Sequence, residues 1–183
     1  LDGAGLAYEP GDALGLWPRN PEPLVDAVLQ ATALDGDTAV RIGEEERSLR
    51  AWLLDKRELT RLARPFVAAQ AERSGDADLQ RLLAPEHAGN FQRLLATLQP
   101  IDLLQQQRAD WDAESLVAAL RPLQPRLYSI ASSRKRVGEE VHLTVDVLDY
   151  QAFGHAHVGA ASGFLSALEE GDHAPIYIEA NER

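Results

Sequence analysis

Cysteine is missing from this chain of 183 residues, which excludes disulfides, thiol nucleophiles and cysteine-ligated metals. A reducing, cytoplasmic compartment is compatible with that. Cations are the minority charge: 18 Lys and Arg stand against 29 Asp and Glu, for a net charge of −11. Nucleic acid and anionic membranes are therefore not expected as main partners, because binding to both is dominated by cation contacts. No apolar run approaches the ~18 residues of a membrane span, and no signal-peptide pattern opens the chain, so it reads as soluble. Gly-x-Ser-x-Gly elbows and Walker phosphate loops are absent too, which leaves hydrolase and nucleotide triphosphatase readings without a motif. There is no internal repeat and no low-complexity tract. A chain of this length suggests one large domain, or one domain with an insert, burying about 70% of its unfolded surface.

What is present falls into two textures. From Pro21 to about Leu120 the pattern is helical, rich in Ala, Leu, Gln and Arg. Asn20-Pro21-Glu22 opens a helix whose stripe is Leu24, Val25, Val28 and Leu29, ending near Leu34. Thr38 to Ile42 and Glu45 to Ser48 form a short hairpin about Gly43, and a helix carrying Leu49, Trp52 and Leu53 follows from Ser48. Further helices are expected over Thr60–Ala71, with Pro65 in the first turn, and over Asp76–Leu83, His87–Leu98 and Asp112–Leu120. Asp112 is the expected cap of the last, with Glu114 in its first turn. Beyond Leu120 the period changes. Val141, Leu143, Val145 and Val147 alternate with His142, Thr144 and Asp146, as a half-buried strand does. Ile176 and Ile178 alternate again near the end. Strands at both termini around a helical middle predict an antiparallel β-barrel interrupted by a helical insert.

The stretch Arg126-Leu127-Tyr128-Ser129-Ile130-Ala131-Ser132-Ser133 carries the chemistry. In a strand, alternation sends Arg126 and Tyr128 to one face and Leu127 and Ser129 to the other. A guanidinium can fork onto a phosphate pair, and a phenol ring can lie flat on a planar heterocycle. Ser129 supplies a donor near that ring. A flavin dinucleotide needs those three functions. Gly159-Ala160-Ala161-Ser162 opens a helix that runs through Leu168 and ends by Gly171. Small residues there let backbone N–H groups approach an anion, which the helix dipole favours. Ser162 is expected to cap this helix as well as touch phosphate or ribose.

Arg126 to Ser133 resembles the FAD-binding signature of NADPH-dependent diflavin reductases, most closely the sulfite reductase flavoprotein branch. Other segments agree in order and spacing: Tyr8 to Trp17 with its Pro10-Gly11-Asp12, Leu120 to Pro125, His142 to Tyr150, and Gly159 to Leu165. The resemblance implies a Greek-key flavin barrel over residues 1–20 and 121–183, with a helical connecting subdomain over residues 21–120. It implies that Arg126 meets the FAD pyrophosphate and that Tyr128 stacks on the isoalloxazine. It places the Ser129 hydroxyl near flavin N5, the one candidate for a catalytic role. Leu127 belongs to the same contact strand. Thr144, Val145 and Asp146 match the next FAD-contacting strand, where Asp146 departs from a small or apolar residue. Tyr150 matches an aromatic near the adenine half. Arg64 aligns with an arginine that reaches the cofactor from the helical insert.

The resemblance also implies partners. An FMN domain and an NADPH domain are expected elsewhere in the parent chain, together with a haem-containing sulfite reductase subunit. Leu1 to Tyr8 starts without a leading strand, and no Gly-rich turn opening a βαβ unit follows Ile176 to Arg183. The sequence therefore reads as a fragment whose barrel lacks its first strand and leaves an open edge. Two readings differ in class: an FAD module of an NADPH oxidoreductase, and a non-catalytic scaffold with an empty flavin site. A single-flavin reductase of the ferredoxin type fits less well, since the insert is too long. His155-Ala156-His157 has strand-compatible spacing for two metal ligands but no obvious third, and the resemblance implies a variable loop there.

Overall fold

A computed structural model describes residues 5–181. The expectations resting on Leu1–Ala4 and on Glu182 and Arg183 lie outside the described residues. In chain order the elements are β1 (Ala13–Leu16), α1 (Glu22–Thr32), β2 (Ala39–Ile42), β3 (Glu45–Ser48), α2 (Leu49–Asp55), α3 (Arg64–Ser74) and α4 (Ala77–Leu82). After a 3-10 turn at Pro85–His87 come α5 (Ala88–Thr97), α6 (Pro100–Gln106), α7 (Ala113–Ala119), β4 (Arg126–Ser129) and α8 (Arg134–Val137). The chain closes with β5 (Asp149–Ala152), β6 (His155–Val158), α9 (Ala160–Ala167) and β7 (Ile176–Glu179).

Local chemistry accounts for most boundaries. Gly43 takes the left-handed backbone (φ 61°) that the β2–β3 turn requires. The Ser48 hydroxyl accepts from Ala51 N–H and caps α2, and Asp76 accepts from Asp78 and Leu79 N–H to cap α4. Asp112 caps α7 as expected, accepting from Ser115 N–H at 2.8 Å. The helix expected from Thr60 begins instead at Arg64. Pro65 has no N–H to give and must stand in the first turn, so residues 57–63 are released to cross toward the strands. The short helix α6 was not expected. Its Pro100 occupies the first turn, and the buried Asp102 carboxylate accepts from Gln99 N–H at 2.7 Å.

The strands form small antiparallel sheets: β4-β1-β7, β2-β3 and β5-β6. In the first, β1 is central, with Leu14 opposite Tyr128 on one side and Ile178 on the other. Gly15 lies beneath the Tyr177 ring, where a Cβ would stand 2.2 Å from a ring carbon. The fold is mixed α and β, and no closed barrel forms among the described residues. The strand expected over Val141–Val147 is corrected. Burial alternates through Val145, but only Leu143 pairs, by a single bridge to Ile130, and Val147 is exposed. Its partner edge ends there, so alternation produced an extended segment without a ladder.

Two apolar clusters form. The larger fills the helical region, with Val25, Val28, Leu53, Val67, Ile101 and Leu116 among its fully buried members. Within it Phe66 stacks on Trp111 at 5.7 Å, and the Trp111 indole donates to Gln70 Oε1 at 2.9 Å. The smaller consists of Tyr8, Leu14 and Ile130, backed by the partly buried Val141, Leu143, Ile176 and Ile178. The regions are stitched by main chain: Glu58 N–H donates to Arg121 O at 3.0 Å and Leu123 N–H to Lys56 O at 2.9 Å. A buried pair of His157 and Asp102, 3.1 Å apart, joins β6 to α6.

Candidate functional site: a cleft between the helical region and the strands

Strand alternation along β4 is as the spacing predicts. Arg126 and Tyr128 are half-buried on one face, while Leu127 and Ser129 are exposed on the other. The buried-side pair opens into a cleft of about 230 Å³. Gly159, Ala160, Ala161 and Ser162, the entrance of α9, line the same cleft. Asp146, Leu148, Thr60 and Arg61 complete its lining. A second cavity of about 330 Å³ shares Thr60, Arg61 and Leu148 with the first. It continues toward Tyr150, Gln99 and Arg121. The two make one elongated groove.

The α9 entrance is compact for a definite reason. Gly159 takes the cap position with extended backbone, and a Cβ on it would stand 2.6 Å from Ser162 Oγ and 3.4 Å from Leu148 Cβ. A side chain there would push the Ser162 hydroxyl aside. Leu148 N–H donates to Ser162 Oγ at 3.2 Å, and Gly159 N–H donates to Leu148 O at 3.0 Å. Ser162 therefore does not cap α9, which corrects that expectation; its hydroxyl accepts from the neighbouring loop. The first-turn N–H groups of α9 lack partners within the helix and carry its positive dipole end.

Charge is distributed around one carboxylate. Glu58, 1% exposed, faces Arg126 at 3.3 Å and Arg121 at 3.8 Å. Arg61 is exposed at the junction of the two cavities. Partial burial pushes the Tyr128 phenol above its ordinary range, against the smaller opposing pull of the Arg126 guanidinium. It stays protonated at neutral pH and can donate. Tyr150 is held from behind, its hydroxyl 3.1 Å from His157 Nδ1.

Cations, a helix entrance and two phenol rings along one groove fit an extended anionic ligand with planar groups at both ends. Asp146 is the one carboxylate that opposes a phosphate there. Of the residues singled out in the sequence, Arg126, Tyr128, Asp146 and Gly159 to Ser162 share the first cavity, and Tyr150 lines the second. Leu127 and Ser129 face away. Thr144 is exposed and Val145 half-buried, and neither lines either cavity. Arg64 stands elsewhere: it donates to Leu83 O at 2.5 Å and lies over the Phe91 ring at 5.1 Å. Arg61, three residues earlier, is the arginine of this segment that reaches the groove. Thr60, Arg61 and Leu148 were not anticipated, and Pro65 was the signal that Thr60 and Arg61 stand outside the helix. His155 pairs with Gln105, and His157 with Asp102 and Tyr150. No group of three or more metal-ligating side chains occurs among the described residues, and none of their helices is long and apolar enough to cross a membrane.

Comparison with known proteins gives the same direction. Residues 56–164 match the family model described as the FAD binding domain. The chain is 44% identical over 182 residues to the sulfite reductase [NADPH] flavoprotein alpha-component of Aliivibrio fischeri, covering 99% of this chain and 30% of that protein. It is 43% identical over 186 residues to the protein of the same name from Shewanella sp. (strain MR-7), covering 100% and 30%. Against the one from Vibrio cholerae it is 40% identical over 182 residues, covering 99% and 29%. The chain thus spans a little under a third of the relatives it matches. On the family model, which covers more than half of the sequence, this chain belongs to the FAD-binding domain family.

Proposed function

We propose that this chain is the FAD-binding module of a cytoplasmic NADPH-dependent flavoprotein reductase of the sulfite reductase type. In that protein electrons pass from NADPH through FAD to FMN. One observation carries the reading: Arg126, Tyr128 and the Gly159–Ser162 entrance, far apart in sequence, line one cleft. On this reading residues 1–20 and 121–183 belong to a Greek-key flavin barrel, of which β4-β1-β7 is a part, and residues 21–120 form the connecting subdomain. The FMN and NADPH domains are partners in the parent chain, and a haem-containing sulfite reductase subunit is the acceptor.

Bound FAD supplies the conversion of a two-electron hydride donor into single-electron transfers. The chain's residues bind and orient. Arg126 and the α9 entrance hold the pyrophosphate, with Arg61 alongside; Tyr128 lies against the isoalloxazine. Tyr150, backed by His157, takes the adenine end. Ser129 points out of the groove, so its hydroxyl would serve the reacting edge of the ring where that edge extends past β4. Leu127, Thr144 and Val145 contribute through the backbone. Arg64 is not retained as a contact.

Titration with FAD tests this, followed by quenching of flavin emission as the ring stacks on Tyr128. Arg126→Ala should weaken binding about ten- to a hundredfold, the worth of a charge-assisted contact. Tyr128→Ala should bind with little quenching. A folded, colourless protein that ignores FAD would overturn the proposal in favour of the scaffold reading.

A further inference from the structure

We infer that Glu58 is a positioning residue: from the crossing segment ahead of α3 it holds the Arg126 guanidinium ready to meet a pyrophosphate. The inference rests on the reading of the groove as an FAD site, and assigns a role to a residue that does not line it.

Glu58 sits where a carboxylate is costly. Its side chain is 1% exposed, and burying an unpaired charge is strongly unfavourable. The two oxygens divide the work. Oε1 accepts from the Thr60 backbone N–H at 2.8 Å and from the Thr60 hydroxyl at 2.7 Å. That closes a small turn within its own segment and fixes the plane of the group. Oε2 is left for cations on the other side of the boundary: an Arg126 terminal nitrogen at 3.3 Å and an Arg121 terminal nitrogen at 3.8 Å. The main chain locks the same junction, since Glu58 N–H donates to Arg121 O and Arg57 bridges to Pro122.

Arg126 is partly exposed, at 27%, and lines the cleft. An arginine has five N–H donors in a rigid fork. Fixing one terminal nitrogen on Glu58 leaves the others for a ligand and removes rotamer freedom before binding rather than during it. The carboxylate also relieves repulsion between Arg126 and Arg121. A purely structural ion pair would serve the same packing wherever it pointed. This one points at the only β4 cation and holds it at the cleft wall.

The test is a double-mutant cycle on the full chain freed of flavin, with FAD affinity and thermal unfolding measured together. Glu58→Gln keeps the volume and an oxygen for Thr60, but places an amide where Arg126 needs an acceptor. The expected loss of FAD affinity is about tenfold, the worth of a hydrogen bond to a charged group. In an Arg126→Ala background the same substitution should cost nothing further, because there is no guanidinium left to position. Equal losses in both backgrounds would assign Glu58 a structural role and overturn the inference. Unchanged or tighter binding in Glu58→Gln would overturn it as well. Should that variant fail to fold, Glu58→Asp keeps the buried charge but withdraws it by one methylene, and the same coupling criterion applies. If the unmutated chain does not bind FAD, the reading of the groove falls, and this inference with it.

Discussion

The helical region and the strand region are built to different specifications. Between α1 and α7, a continuous cluster of large apolar side chains is buried, closed by the Phe66–Trp111 stack and the Trp52 indole donating to Val40 O. The smaller cluster among the strands has just Tyr8, Leu14 and Ile130 as buried members among the described residues, and polar pairs add to the joining. The Tyr8 hydroxyl, for example, donates to Glu140 O at 2.7 Å and pairs with Ser132 Oγ at 2.8 Å. The groove lies where these regions meet. A rigid apolar block on one side and a thin, polar sheet on the other teach that stability and binding are held by different residues. Polar groups can face a ligand at the boundary because the apolar burial that holds the fold is concentrated elsewhere.

Substitutions can break or sharpen that contrast. The largest effect is expected for Phe66→Ala, 1% exposed in the main cluster, at about 3–5 kcal/mol in urea unfolding. Leu14→Ala in the small cluster should cost less, about 2 kcal/mol, since that cluster has few buried members and is backed by partly buried side chains. The reverse ranking would show that the strand core carries the fold. Next comes Gly15→Ala, whose new methyl group would meet the Tyr177 ring and force it off the sheet. About 1–3 kcal/mol is expected, with a change in tyrosine fluorescence as the readout.

Smallest is Asp112→Ala, which removes the α7 cap at about 1 kcal/mol. The Ser115 hydroxyl first, and then its backbone N–H, hold the Asp112 carboxyl below its ordinary 3.8. A lowered carboxyl contributes stability above the unfolded-state value and loses it as pH falls through the folded-state value. The variant should therefore show a shallower loss of stability on acidification below about pH 4, with FAD affinity unchanged.

Legibility followed the range of the forces involved. The hairpin about Gly43, the caps Ser48 and Asp112, and the two-sided pattern of Arg126 to Ser129 each depend on neighbours a few residues away. The β5–β6 hairpin was missed because its turn is Phe153-Gly154, both at positive φ. Phenylalanine is not a residue that announces a left-handed turn. The Val141–Val147 strand was over-read because alternation records which face is buried and says nothing of whether a partner edge exists. Arg64 was favoured over Arg61 by its alignment with a family arginine, and an alignment along the chain does not show which arginine of the segment the fold turns toward the groove.

Charge balance, helical stripes and the face on which Arg126 and Tyr128 stand were already written in the order of residues, since solvation and backbone period act along the chain. Which arginine of the Arg61–Arg64 pair reaches the groove, and that Glu58 lies against Arg126, depended on folding. Those contacts join residues tens of positions apart, and only the packing of one region against the other brings them within hydrogen-bond reach.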